Sequence, residues 1–336
     1  MKKWLKITLG SLVCLVIVYA VGPQPATPHY SLNLPIIHVN ARDIDKYVAA
    51  QEALHKLKPD NQARVVWYND SIKQPTEYAI VYLHGFGASW KEGDPTHKTI
   101  AKMFGCNLYL DRMAEHGIDT SEQLMNITPE NYWASAKEAL AIGKKLGKKV
   151  ILMGTSTGGT QALQLAAAFP NDVAGLILYS PNIALKDSKA WVLNKPWGLQ
   201  IARKVRGSNY YTPEDQRAIY KQYWYASYRL EALVTLEEIL NTTMTDRTFM
   251  AIHQPTLALY YYKDEDHQDD LVSISAIKKM MSTLATPDTL KRLVDMPYVG
   301  NHVMGCSLKS NDVYGVISET TGFLVKVMGM RVEAKK

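Results

Sequence analysis

The sequence predicts an α/β protein in which a mostly parallel sheet is flanked by helices and broken by one helical insertion. Three observations carry that expectation. Short apolar runs rich in Val, Ile, Leu and Tyr recur along the chain and are uniform rather than alternating, as strands buried on both faces are. Helical patterns lie between them, and such alternation builds a parallel sheet covered by helices. From Pro181 to about Met250 no clear strand is found, too long a gap for an ordinary connection, so this segment is an insertion.

The elements follow in order. "MKKWLKITLGSLVCLVIVYAVGPQPATP" sets Lys2, Lys3 and Lys6 before an apolar run from Ile7 to Gly22 and a Pro-rich linker. A basic flank before an apolar run is an export signature. Residues 1–28 are therefore expected to be a signal-anchor: a transmembrane helix and linker that holds the catalytic domain at the membrane, outside the cytoplasm. Cleavage after Ala20-Val21-Gly22, giving a secreted protein, is the alternative. Strands are expected at Ala79–Leu83, Asn107–Leu110, Lys149–Met153, Val173–Tyr179, Thr256–Tyr262 and Leu290–Met296. Trp133, Ala136, Leu140 and Gly143 keep helical spacing, and Gly158–Phe169 is rich in Ala, Leu and Gln. A last helix starts near Ser310, with Val313, Val316, Ile317, Thr320, Leu324 and Val327 on one stripe. The core is then residues 29–180 and 251–336, with 181–250 a helical cap over a pocket.

Composition narrows the function. The chain has 336 residues, 47% hydrophobic and 21% charged, enough to bury a large core. It carries no internal repeat, P-loop or dinucleotide glycine fingerprint. Cys106 and Cys306 are a possible pair in an oxidising compartment, or two small buried hydrophobes. Neither has the neighbours of a zinc site, and the acidic loop near Asp266 lacks the glycine of a calcium loop, so no metal is expected.

The chemistry centres on Gly154-Thr155-Ser156-Thr157-Gly158, a G-x-S-x-G between a strand and a helix. Small residues at 154 and 158 let the backbone turn sharply and lift the Ser156 hydroxyl clear, while the helix N-terminus supplies positive potential for an oxyanion. A serine needs a base oriented by a carboxylate, in the chain order serine, acid, histidine. His302, in "PYVGNHVMG", meets that order. For the acid, "KDEDHQDDLVS" offers several residues; Asp269, just ahead of an apolar pair that would begin a helix, is the choice and Asp266 the alternative. His84-Gly85-Phe86-Gly87 after an early strand is expected to supply the second oxyanion amide, from Phe86, beside that of Thr157, with His84 stabilising the loop.

Together His84-Gly85-Phe86-Gly87, "LYLDRMAEHG" at 108–117, Gly154–Gly158 and Gly300-Asn301-His302 resemble the α/β-hydrolase superfamily, and within it the monoacylglycerol-lipase-like and serine-aminopeptidase-like (S33) branch, which includes bacterial membrane-anchored members. The resemblance runs from about Ala63 to Met328. Two departures stand out: Thr155 and Thr157 replace the His and Met often found beside the lipase serine, and the acid loop is longer than usual. The resemblance implies acyl transfer to water through an acyl-enzyme on Ser156, without cofactor. Between Asn182 and Arg229 stand nine Lys or Arg and three Asp or Glu; in an aromatic cap beside a membrane anchor this excess suits an acyl ester or lipid substrate at an anionic surface, with an ordinary solvated helical face as the alternative, and nucleic acid is not expected. Three functions stay open: a carboxylesterase or monoacylglycerol-type lipase, an S33-type aminopeptidase using cap acids such as Glu214, Asp215 or Glu231, and a ligand-binding module without turnover.

Overall fold

The computed structural model describes residues 2–333, with side chains from residue 10 onward. The strands are β1 (Arg64–Val66), β2 (Thr76–Leu83), β3 (Asn107–Leu110), β4 (Gly147–Thr155), β5 (Gly175–Tyr179), β6 (Tyr210–Tyr211), β7 (Tyr228–Arg229), β8 (Thr256–Tyr260) and β9 (Lys291–Asp295). The helices are α1 (Lys2–Ala20), α2 (Ile44–Glu52), α3 (Thr96–Met103), α4 (Pro129–Leu146), α5 (Thr157–Ala168), α6 (Gly198–Arg206), α7 (Ala218–Tyr223), α8 (Leu230–Thr243), α9 (Asp246–Met250), α10 (Ile274–Thr283) and α11 (Val313–Lys326). The sheet has seven strands in the order β1-β3-β2-β4-β5-β8-β9. All neighbours pair parallel except β1, which runs antiparallel to β3 at the edge.

Successive side chains of a strand point to opposite faces, and β2 shows what that does to a wholly apolar run. Ala79, Val81 and Leu83 enter one core with α4 and α5, while Ile80 and Tyr82 enter a second with α3 and α11. Both faces are covered, which is why the central strands read as continuous hydrophobic runs. Helix α4 starts where the sequence stops competing for it. Thr128 Oγ1 accepts the Asn131 N–H at 3.1 Å, Asn131 Oδ1 accepts the Thr128 N–H at 2.9 Å, and Pro129 occupies the first helical position. A cap of this kind contributes about 1 kcal/mol.

Two departures from the sequence reading are small. The short edge strand β1 was not expected, and the insertion contains a two-stranded ladder, Tyr210 with Arg229 and Tyr211 with Tyr228. Two others concern chemistry. Cys106 and Cys306 are buried and unpaired, the small-hydrophobe alternative. The transmembrane anchor is not supported: among the described residues no helix is long and apolar enough to cross a membrane. The side chains of residues 1–9, on which part of that expectation falls, lie outside the described residues.

The linker after α1 is not a free tether. The Tyr30 hydroxyl shares a hydrogen bond with Thr242 Oγ1 at 2.8 Å, Trp133 Nε1 donates to the Ser31 carbonyl at 2.8 Å, and Lys137 Nζ donates to the Asn33 carbonyl at 2.9 Å. Residues 30–33 thus form a strap across α4 and α8. Further back, Trp197 donates its backbone N–H to the Pro23 carbonyl and its indole N–H to the Val18 carbonyl, each at 2.9 Å.

Candidate active site

The residues singled out in the sequence come from four different strands, all at their C-terminal ends. Phe86 follows β2, Ser156 follows β4, Asp269 lies in the loop after β8, and His302 lies in the loop after β9. Ligand sites of open parallel sheets form at that edge.

Ser156 sits at φ 53°, ψ −120°, an uncommon backbone conformation for a residue other than glycine, between β4 and the first residue of α5. Its N–H donates to the Tyr179 carbonyl at 2.9 Å, and its own carbonyl accepts the Gly159 and Asn182 N–H groups, both at 2.9 Å. These bonds hold the strained turn in place. The glycines around it are steric necessities. A methyl group at position 154 would lie 2.5 Å from the Gly158 carbonyl, and one at 158 would lie 1.9 Å from the Leu83 carbonyl oxygen.

The histidine and the acid meet in the interior. His302 Nδ1 is 2.7 Å from Asp269 Oδ2, with the histidine 4% and the aspartate 0% exposed. Asp269 Oδ1 accepts the N–H groups of Leu271 at 3.0 Å and Val272 at 3.1 Å, so both carboxylate oxygens are engaged. Burial alone would raise the Asp269 carboxyl. The His302 charge, its hydrogen bond and the Leu271 amide outweigh burial and hold it below the usual carboxylate range. Burial likewise disfavours the imidazolium, but Asp269 raises His302 above the ordinary histidine value. His302 Nε2 is buried with no hydrogen-bond partner among the described residues, Ser156 Oγ included. With Nδ1–H donated to Asp269, Nε2 is the basic nitrogen. Asp266, the alternative acid, is exposed on a hairpin that pairs Tyr262 with Gln268, away from His302. The extra length of this loop closes on itself: Asp264 Oδ1 and His267 Nδ1 are 2.7 Å apart.

The backbone amides of Phe86 and Thr157 have no protein acceptor among the described residues. The turn that carries Phe86 is fixed by two histidines and an acid. Gly87 N–H donates to His116 Nε2 at 2.8 Å, and Met113 N–H donates to His84 Nε2 at 3.1 Å. Burial lowers His84 to about 4 and lowers His116 as well, so both stay neutral acceptors. The acid is Glu92, whose Oε2 accepts the Gly85 N–H at 2.5 Å. The sequence reading missed Glu92 and His116. Nothing in "ASWKEGD" separates that glutamate from a surface charge, and only its burial does.

The aromatic run of the insertion roofs this turn. Tyr225 N–H donates to the Gly87 carbonyl at 2.8 Å, and the Tyr228 ring packs edge-on to Phe86 with centroids 5.8 Å apart. Tyr223, Trp224, Tyr225 and Tyr228 are all buried, in contact with the core rather than only with each other. Two of the insertion's acids are each held by two cations. Glu231 pairs with Arg203 at 2.5 Å and Arg229 at 2.8 Å, and Asp215 with Lys309 at 2.5 Å and Arg217 at 2.7 Å.

A sharp serine turn at the end of a parallel strand, followed by an acid and a histidine on later loops, defines the α/β-hydrolase class. Solved structures agree on the fold. One of the metagenome-derived lipolytic enzymes LipS and LipT is similar with a TM-score of 0.63 at 16% identity, over 81% of this chain and 100% of that one. Est1E from Butyrivibrio proteoclasticus, solved with ferulic acid bound, gives 0.54 at 14% identity over 80% and 95%. The monoacylglycerol lipase of Paleococcus ferrophilus gives 0.52 at 14% identity over 76% and 98%. No curated protein matches the sequence significantly. The profile of the family described as serine aminopeptidase, S33, matches residues 130–297, and the chain belongs to that family.

Proposed function

We propose that the protein is a serine hydrolase that cleaves carboxylic esters, an esterase or monoacylglycerol-type lipase, through an acyl-enzyme on Ser156. The observation that carries this reading is the buried 2.7 Å Asp269–His302 contact, which leaves Nε2 unpartnered at the sheet edge where Ser156 is presented. In this mechanism Ser156 Oγ attacks the substrate carbonyl carbon while His302 Nε2 takes its proton. Asp269 holds the imidazolium, and the amides of Phe86 and Thr157 take the oxyanion. His302 then gives the proton to the leaving alcohol. Water, deprotonated by the same nitrogen, releases the acid and restores the serine.

Peptidase activity is the second reading, favoured by the family to which the chain belongs. An aminopeptidase needs a carboxylate free to hold the substrate ammonium. Of the three acids expected for that role, Glu231 and Asp215 are each tied to two cations and Glu214 is exposed, which supports the ester reading; Glu237, half-buried on α8 and raised to about 7 by burial, is the acid a peptidase would have to use. The deciding experiment compares p-nitrophenyl esters from acetate to palmitate with aminoacyl p-nitroanilides. Wild type is expected to turn over esters, with Asp269→Asn lower in kcat by about 10⁴-fold because the imidazole loses its tautomer and its stabilising charge. Faster turnover of the aminoacyl series would replace this reading with the peptidase. Absence of turnover on both series, with Ser156 refractory to a fluorophosphonate, would favour the binding module.

Export is part of the same proposal. Support comes from the lysines at 2, 3 and 6 and from a run whose side chains face solvent, Leu12 at 58% and Val21 at 73% exposed. Fractionation of cells producing the tagged full-length chain is expected to place it outside the cytoplasm, whereas a chain starting at His29 stays inside. Equal distribution of the two would refute export by this segment.

A further inference from the structure

Glu92 is 3% exposed, yet it lies among groups the reaction uses. Its Oε2 accepts the Gly85 N–H at 2.5 Å, next in the chain to the amide of Phe86. The carboxyl and the serine turn flank the same glycine: a methyl group at position 85 would lie 2.8 Å from Glu92 Oε1, 3.0 Å from Glu92 Oε2 and 3.0 Å from Ser156 Cβ. A carboxyl carried into the interior is costly unless its charge has a purpose or a partner. The ordinary ion-pair explanation is missing here. The cations on the same short helical turn and the next are engaged elsewhere, Lys91 and Lys98 both with Asp94.

Resting on the serine-hydrolase reading, we propose that Glu92 is a positioning residue of the catalytic site. Its carboxylate pins the turn that presents the Phe86 amide, and it acts on His302 as a second negative group beside Asp269. Burial raises the Glu92 carboxyl to about 7, against the Gly85 hydrogen bond and the His302 charge, which both lower it. In return Glu92 adds to the rise of His302, after the larger contributions of Asp269. The groups around Glu92 are Tyr82 on β2, Tyr132 on α4, Tyr220 on α7, Cys306 and His302. The tyrosines are raised above their usual value and Cys306 is pushed up to about 11, which leaves His302, itself raised by Asp269, as the neighbour whose charge answers to Glu92. The acid limb of activity then belongs to the Glu92–His302 pair rather than to one residue.

The sign of the effect follows. An ionised Glu92 favours the imidazolium, so removing its charge lowers the pH at which His302 becomes a neutral base. Glu92→Gln keeps an acceptor for Gly85 without the charge, and Glu92→Ala removes both. Two readouts separate the proposal from the reading beneath it. The first is titration of His302 in full-length protein by NMR with labelled histidine, assigned with His302→Gln, which needs no substrate. Glu92→Gln is expected to lower the His302 midpoint by roughly half a unit or more. The second is ester kinetics, where Glu92→Ala is expected to lose about 10²-fold in kcat with KM within a few-fold, and Glu92→Gln to recover part of that loss. An unmoved His302 midpoint in Glu92→Gln overturns the proposal even if esters are not the substrate. Kinetics of Glu92→Ala equal to wild type overturn it as well. If the alanine variant does not fold, the titration of the glutamine variant decides.

Discussion

Ser156→Ala is expected to lose ester turnover by about 10⁶-fold in kcat while its urea midpoint stays at the wild-type value. The chemical half follows from the nucleophile: of the two neighbouring hydroxyls, that of Thr155 is bonded to the Tyr82 hydroxyl at 3.0 Å and that of Thr157 is buried, and His302 alone activates water poorly. The structural half is the stricter claim. Among the described residues Ser156 Oγ makes no hydrogen bond, and alanine has the same Cβ at the same φ of 53°, so the strained turn is neither relieved nor worsened. Fluorophosphonate labelling read beside denaturation tests both halves. Residual labelling of the alanine variant, or activity above about a hundredth of wild type, would place the nucleophile elsewhere.

Gly158→Ala is expected to be the most damaging substitution in the site for folding, costing more than about 4 kcal/mol. The added methyl would sit 1.9 Å from the Leu83 carbonyl oxygen, and the next atoms it meets are also backbone, the Leu83 carbonyl carbon at 2.5 Å and the His84 carbonyl oxygen at 2.8 Å. Backbone of a central strand cannot step aside as a side chain end can. By contrast a methyl at Gly322 on α11 meets nothing within 4 Å, so Gly322→Ala serves as the control and is expected to be neutral or slightly stabilising. Comparison of soluble yield and urea midpoint for the two variants checks the argument. Near-equal stability would mean that α5 can slide away from β2.

Gly154 and Gly158 also explain why the nucleophile is legible in the sequence. Where geometry is enforced by backbone crowding, only one residue type fits, and the restriction is written directly in the chain as G-T-S-T-G. The acid is legible for a related reason. Asp269 precedes an apolar pair, and its Oδ1 accepts the amides of Leu271 and Val272, a local pattern that leaves a local trace. Glu92 leaves none, because the Tyr82 hydroxyl, the Trp224 indole and the His302 charge that act on it come from separate parts of the chain, and no spacing records their convergence. β1 was missed because three residues at an antiparallel edge are too few for a period, and the ladder of β6 with β7 because two are fewer still. Of the two readings left open for the cysteines the structure shows the second: Cys106 sits before β3 with its Sγ donating to the Phe104 carbonyl at 3.5 Å, and Cys306 lies in the loop after His302, each free and buried.

The strap over α4 and α8 separates two questions that the N-terminus poses as one. A peptide bond cut beside Gly22 would release α1 and the Val18 contact to Trp197, yet leave the Tyr30, Ser31 and Asn33 contacts intact. Residues up to Gly22 therefore take no part in the strap. Trimming a dozen residues further would strip the Trp133 indole and the Lys137 ammonium of their acceptors and unroof a helix that packs on the central strands β2 and β4, so the smallest autonomous hydrolase begins upstream of Tyr30, well before its first strand.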